Sequence, residues 1–403
     1  MNQSDICVCI RKRPTNNNDI ININNNFINV IDEKIKVDLQ KHNKIHKYKY
    51  DYVFPDNINT QFIYKKIIKK FVYNISNNIN SVCYAYGQTG SGKTFTILGD
   101  NNHYGLLTFT IDDLFKNQSQ IKISCYEIYN NKLYDLFNDR KLLFIREGYN
   151  YNQHIKNLKY ITIESISDYF YYINLIVKYR QNGISGQNNN SSRSHLVFTI
   201  IINNNYIKFI DLAGSERAKK SIFINKQIFK ENAEINKSLL ALKECIRSII
   251  NNKNHIPFRN SKLTTVLRDS FTKNCNTIII GTISANKNNI VDTLNTLNYT
   301  SNIKYIKKLD FKDIKKKKKK KFKIKNKTKI KKYLPKLKKN NKFSFNDYTL
   351  FMEDFSKQIS NQFQIYDELK NNNNIDSYKN KILETLDNQI ILINNLKNKI
   401  LFS

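Results

Sequence analysis

Short apolar runs recur along the first three hundred residues, each bounded by polar turn formers. Residues 6–10, 82–86, 121–129, 196–202, 206–210 and 277–283 have strand length and predict largely buried strands. Residues 27–54 alternate apolar and polar positions and predict a β-meander; residues 132–137 add a short second segment after the 121–129 strand. Other stretches follow the helical period. Residues 57–80 carry Phe62, Ile63, Ile67 and Phe71 at that spacing and predict an amphipathic helix running into the strand at 82. Residues 169–179, 231–250 and 290–306 predict three more helices, and the basic stretch 255–270 ends in another. Strands alternating with helices predict an α/β fold, a central mixed sheet flanked by helices, over residues 1–308. The pattern then changes. Residues 309–342 form a Lys-rich linker that begins its densest part with seven consecutive Lys from Lys315. Residues 343–403 hold two helical patterns split by four Asn, the second with the 3-4 spacing of a helical hairpin or coiled coil; self-association through it, as a homodimer, is left open.

Charge changes the picture of the partner. Lys and Arg number 67 against 33 Asp and Glu, a net charge of +34. Residues 307–342 alone carry 20 Lys and 2 Asp. Such a balance implies an acidic partner: nucleic acid, an anionic membrane or an acidic protein polymer. No recognition module accompanies the Lys run, so specific nucleic-acid binding is not expected. No apolar run approaches the ~18–20 residues that span a bilayer, and no apolar signal segment opens the chain. A soluble, cytoplasmic protein is expected. The six Cys form no C-x-x-C pair and sit in apolar runs, as reduced buried thiols do. The six His show no zinc spacing.

The candidate chemistry centres on Gly87, Gln88, Thr89, Gly90, Ser91, Gly92, Lys93 and Thr94. They fit the phosphate-binding loop G-x-x-x-x-G-K-[ST], between a predicted strand and a predicted helix. Its amides would cradle phosphate oxygens, Lys93 would reach the β- and γ-phosphates, and the Thr94 hydroxyl would hold Mg²⁺. Asp211 ends an apolar strand with Gly214 three residues on, the arrangement a nucleotide switch requires; alone it is also a common turn. Arg11 and Arg13 precede Pro14. Those residues by themselves suit a solvated strand end better than a base-stacking pair.

Taken together these residues resemble the kinesin motor domain. The phosphate loop, Asn188-x-x-Ser-Ser-Arg-Ser-His, Asp211-Leu-Ala-Gly-Ser-Glu and Arg11-x-Arg-Pro occur in that family's order over about residues 5–308. Tyr126-Glu-Ile-Tyr, Asn236-Lys-Ser-Leu-Leu-Ala-Leu and Pro257-Phe-Arg-Asn-Ser-Lys-Leu-Thr match its tubulin-facing signatures. The resemblance implies a P-loop ATPase using ATP and Mg²⁺, with tubulin and microtubules as partners and a cytoskeletal location that includes the spindle. It implies Mg²⁺ coordination by Thr94 and Ser192, and water positioning by Ser191 and Ser192. It implies a γ-phosphate contact by Gly214, a closing salt bridge between Arg193 and Glu216, and an adenine framed by Arg11, Arg13 and Pro14. Within the family the chain looks most like the microtubule-depolymerising class, kinesin-13. Arg11-Lys-Arg-Pro, the finger Lys36-Val37-Asp38 and the helix residues Lys243, Glu244 and Cys245 carry that likeness. Together with Lys262 and Arg268, the finger and helix residues are the expected tubulin contacts. The class carries a basic neck before its motor. Five residues precede the first strand here, so the run 315–342 is expected to act as the diffusional tether instead. Phe95 and Ser215 stand where the family often has His and Asn.

Overall fold

The computed structural model describes residues 6–15, 19–35, 41–147, 153–181, 192–216, 226–253, 255–271 and 275–306, together with Asn388. The chain divides into two compact units, residues 1–319 and 320–403. The expectations for the Lys-rich linker and the helical tail lie outside the described residues, Asn388 aside.

The first unit is built on one large mixed sheet. Its strands are β1 (Cys7–Arg13), β5 (Tyr52–Phe54), β6 (Asn80–Tyr86), β7 (Ile121–Tyr129), β8 (Lys132–Asp135), β9 (Leu142–Glu147), β10 (Gln153–Lys156), β11 (Ile161–Ile163), β12 (His195–Ile202), β13 (Asn205–Asp211) and β14 (Cys275–Ser284). They lie in the order β10-β9-β8-β7-β12-β13-β6-β14-β1-β5, with β11 paired to β7. From β13 to β5 the neighbours are parallel; from β13 back to β10 they are antiparallel. The strand before the phosphate loop, β6, is central, between β13 and β14. Both neighbours run parallel to it, so three strand ends open on one edge. In open α/β sheets that edge is where ligands bind.

Period-2 alternation divides β6 between two cores. Val82, Tyr84 and Tyr86 face one, with α6 (Lys226–Ile250), α7 (Lys262–Leu267) and α8 (Ile290–Ile303). Cys83 and Ala85 face the other. There pack α1 (Thr60–Ile63), α2 (Lys70–Ser76), α3 (Lys93–Ile97), α4 (Leu106–Phe115) and α5 (Ile166–Gln181). All six Cys are free and buried.

A second, three-stranded sheet has the order β2-β3-β4, from β2 (Ile21–Asn24), β3 (Phe27–Ile35) and β4 (Lys41–Lys49). Ile21, Ile28 and Val30 bury its inner face in the first core. Tyr48 and Tyr50 hydroxyls tie it to α8, donating to Asn298 Oδ1 at 3.0 Å and Leu297 O at 2.8 Å. Pairing of β3 with β4 continues to Ile35 opposite Lys41. Lys36, Val37 and Asp38 connect these two strands and lie outside the described residues.

Several expectations are refined. The helix expected over 57–80 is two short α segments separated by a π-helical turn, Tyr64–Ile68. The helix expected over 231–250 begins five residues earlier, at Lys226. Leu240 in this helix is 56% exposed, although Leu239 and Leu242 beside it are buried. The sequence pattern missed β2, β9, β10, β11 and α4. The four strands run three to six residues each, too short for a clear period, and α4 is a ten-residue helix that opens directly after the polar turn 99–105.

Candidate functional site

Gly87 to Thr94 link β6 to α3 at the sheet's open edge. Backbone approach there is so close that a Cβ on Gly87 would lie 2.2 Å from Thr282 O. The loop and its surroundings line a cleft of about 1340 Å³. Arg11, Arg13, Pro14, Thr60, Phe95, His103 and Ser192 also line it.

Lys93 is 6% exposed and donates to Gln88 O at 2.8 Å. Burial lowers its pKa from the ordinary lysine value, with Asp211 and Glu216 opposing that shift. A buried ammonium satisfied by its own loop's carbonyl is a donor ready for a phosphate oxygen. Thr94 Oγ1 donates to Asp211 Oδ2 at 2.7 Å, and Arg180, at the end of α5, pairs with the same oxygen at 2.9 Å. Asp211 Oδ1 is buried and accepts no hydrogen bond from the described residues. An orphaned carboxylate oxygen beside a threonine hydroxyl fits the outer shell of a hard divalent cation. These residues therefore suit Mg²⁺ with a polyphosphate.

The two switch segments meet over the phosphate loop. Gly214 N–H donates to Ser192 O at 3.0 Å, and Ser215 N–H to Gly87 O at 3.1 Å. Glu216 accepts from Thr89 N–H at 2.8 Å and from the Thr89 hydroxyl. A Cβ on Gly214 would lie 2.3 Å from Thr89 Oγ1 and 2.5 Å from both Glu216 carboxylate oxygens.

The expected Arg193–Glu216 pair is not what the structure shows. Arg193 pairs with Glu231 Oε2 of α6 at 3.1 Å, while Glu216 is held by the phosphate loop. Thr89 supplies Glu216 with two donors of its own, and Glu231 supplies Arg193 with a carboxylate. Ser191 lies outside the described residues, as does the segment from 182 to 190.

At the base end, Arg11 is more committed than expected. Its guanidinium donates to Thr96 and Thr60 hydroxyls, both at 3.0 Å, and lies 5.0 Å from the Phe95 ring centroid. Burial lowers its pKa to about 10. Arg13 donates to Gly90 O. Lys12, between them, is buried and paired with Asp19 and Asp56.

His195 joins three elements. Ala213 N–H donates to its Nδ1 at 2.9 Å, which places the ring proton on Nε2, 3.0 Å from Ser238 Oγ of α6. The Ser238 hydroxyl donates onward to Ile235 O at 2.7 Å. Desolvation, with Arg180 and Lys93 nearby, holds the imidazole neutral, its pKa lowered to about 3. His195 stood inside the recognised motif, but nothing in the sequence showed its partners. Arg180 and Glu231 carried no sequence signal, and Ser238 stood in the Asn236-Lys-Ser signature with nothing to show this partner.

Two expected tubulin contacts are corrected. Cys245 is fully buried in the core and Arg268 is 5% exposed, so neither side chain presents itself to a partner. Lys243 is half-buried, its ammonium 5.7 Å from the Tyr299 ring, and Glu244 is exposed. Lys262 is half-buried at the start of α7, where Ser261 and Thr264 form a capping box.

A family model described as Kinesin motor domain matches residues 11–306. The chain belongs to the kinesin motor-domain family. It is 40% identical over 325 residues to kinesin-like protein KIF24 of Homo sapiens, covering 75% of this chain and 24% of that protein. It is 37% identical over 329 residues to kinesin-like protein KIN-13B of Arabidopsis thaliana, covering 75% of this chain and 48% of that one. The chain thus spans less than half the length of these relatives. Among solved structures it is similar to a KIF14 dimer with AMP-PNP in complex with a microtubule. That match has TM-score 0.66 and 28% identity, over 75% of this chain and 94% of the other. A fast kinesin matches with TM-score 0.68 and 28% identity, over 76% and 93%. The kinesin fold accounts for the mixed sheet and for the placing of both switches at the edge of β6.

Proposed function

We propose that this kinesin is an ATP-dependent microtubule depolymerase, coupling ATP binding and hydrolysis to the bending and removal of tubulin at microtubule ends. The observation that carries the ATPase reading is the meeting of Ser192, Gly214 and Glu216 over the phosphate loop. The likeness to KIN-13 proteins and the Lys36-Val37-Asp38 sequence favour depolymerisation over stepping. The translocating alternative rests on the likeness to the microtubule-bound KIF14 dimer.

In this reading the phosphate-loop amides and Lys93 bind the β- and γ-phosphates, and Thr94 and Ser192 would hold Mg²⁺ with Asp211 behind them. The metal would supply charge neutralisation on the phosphates. Phosphoryl transfer needs little else beyond positioning. Ser191 and Ser192 orient the attacking water. An incoming γ-phosphate competes with Glu216 for Thr89 N–H and with Ser192 O for Gly214 N–H. Glu216 is then released toward Arg193, which must leave Glu231 to meet it. Because Glu231 belongs to α6, that exchange pulls on the helix carrying Lys243 and Glu244. The hairpin formed by β3 and β4 presents Val37 between a cation and an anion as a wedge against tubulin. The Lys run tethers the motor to the acidic lattice, a homodimer through the tail helix adds a second attachment, and the protein works on cytoplasmic and spindle microtubules.

A sedimentation assay tests the reading. Stabilised microtubules incubated with the full chain and MgATP are expected to lose tubulin from pellet to supernatant, and Lys93→Ala is expected to lose the effect. Tubulin that stays in the pellet while ATP is hydrolysed would contradict it.

A further inference from the structure

The outer rim of the cleft holds a constellation that the phosphate chemistry does not use. Residues 99–105 form a closed turn between α3 and α4. Gly99 and Tyr104 pair across a β-bridge, and Asp100 N–H donates to His103 O at 2.9 Å. The turn is tight. A Cβ on Gly99 would lie 2.1 Å from His103 O, and one on Gly105 would lie 2.3 Å from Leu98 C. Asp100 Oδ1 accepts from Asn102 N–H at 2.9 Å, from His103 N–H at 2.8 Å and from His103 Nδ1 at 2.9 Å. The bond from Asn102 N–H, then that from the imidazole, holds the Asp100 carboxyl below the usual carboxylate range. An ionised carboxylate only accepts, so Nδ1 carries the hydrogen. In the neutral ring, Nε2 is then left with its lone pair.

The side chain of His103 is 63% exposed, yet its ring is fixed. It packs edge-on against Phe95, with ring centroids 5.7 Å apart, and Phe95 in turn lies 5.0 Å from the Arg11 guanidinium. All three line the cleft. A surface connection does not need this many internal bonds. What they fix is one imidazole beside the wall that a base would stack on. Phosphates bound at residues 87–94 set one end of a nucleotide. Its base then reaches the part of the cleft where Arg11, Pro14, Phe95 and His103 lie.

We infer that His103 is a specificity-determining contact to the nucleobase, its Nε2 accepting a hydrogen bond from the 6-amino group of an adenine held between Pro14 and Phe95. The inference rests on the nucleotide-binding reading above. A purine with a carbonyl at that position presents a second acceptor to the lone pair and forfeits the bond. Asp100 is a positioning residue that holds the ring through Nδ1.

Calorimetric titration of the full chain with MgADP and with the magnesium salt of inosine 5′-diphosphate tests this directly. One net hydrogen bond predicts about a five-fold preference for ADP in the wild type. His103→Ala is expected to weaken ADP about five-fold and the inosine nucleotide less than about two-fold, which erases the preference. His103→Gln, whose amide oxygen can accept the same bond, recovers part of it. Asp100→Ala shifts the ratio as His103→Ala does, by less. Equal weakening of both nucleotides, or an unchanged ratio in His103→Ala, would overturn the inference while leaving nucleotide binding intact. A wild type that bound neither nucleotide would overturn the nucleotide reading and this one together.

Discussion

At Gly214 a side chain would collide with the groups that hold the two segments over the phosphate loop. Any Cβ there meets Thr89 Oγ1 and both oxygens of Glu216 within 2.5 Å. Gly214→Ala is therefore expected to drive the segment 211–216 from the loop and to reduce ATP hydrolysis by about two to three orders of magnitude, the usual result of losing one transition-state donor. ADP affinity should stay within a few-fold, because the phosphate-loop amides are untouched; single-turnover hydrolysis alongside ADP titration separates the two. His195 makes a different kind of prediction. Its folded pKa of about 3 lies below the ordinary histidine value, so the unfolded chain binds the extra proton first. Stability from this group is present above about pH 6.5 and is lost as pH falls toward 3, on the order of 2 kcal/mol by pH 5. Thermal melts from pH 7.5 to 5 should show that slope in the wild type and a shallower one in His195→Asn. Asparagine fills another need. Of the ten described non-glycine residues with positive φ, eight are Asn, including the paired turn residues Asn130-Asn131 and Asn203-Asn204. In a chain with only 10 Gly, Asn takes over left-handed turn positions.

At the scale of elements, the hairpin of β3 and β4 is anchored as a lever would need. Its inner face is buried, Tyr48 and Tyr50 hold it to α8, and Lys287 pairs with Glu33 on its stem at 2.6 Å. Replacing Lys36, Val37 and Asp38 together by Ala is expected to abolish microtubule shortening while lattice affinity falls less than about three-fold. Imaging and co-sedimentation on the same preparation check both halves. Much of this architecture was legible in advance. Strands buried on both faces announce themselves as apolar runs, and the phosphate loop and both switches sit in short contiguous motifs. Long-range pairs could not be read this way. Nothing local to Arg180 says that it ends against Asp211, and nothing local to Arg193 chooses Glu231 over Glu216. Those choices depend on where α5 and α6 come to rest. Burial was misjudged for the same reason. Cys245 belongs to a recognisable signature and Arg268 is an expected surface contact, but their side chains turn inward once α6 and α7 pack on the sheet.

For the whole molecule, charge and nucleotide chemistry divide the work. Half of the net charge of +34 lies in residues 307–342, outside the family match at 11–306. Electrostatic attraction to an acidic lattice acts mainly on encounter rate and is screened by salt. Replacing the Lys of 315–342 with Gln is expected to slow microtubule association about ten-fold at low salt and to flatten its salt dependence, with ATPase at saturating microtubules little changed. Stopped-flow or single-molecule landing rates measure this. The central claim is that nucleotide state is converted into removal of tubulin. The most direct measurement is the length of individual stabilised microtubules, imaged over time with the full chain and MgATP. Shortening from both ends, dependent on ATP and lost in Lys93→Ala, is the predicted result. Filaments that glide or stay at constant length while ATP is consumed would contradict the account.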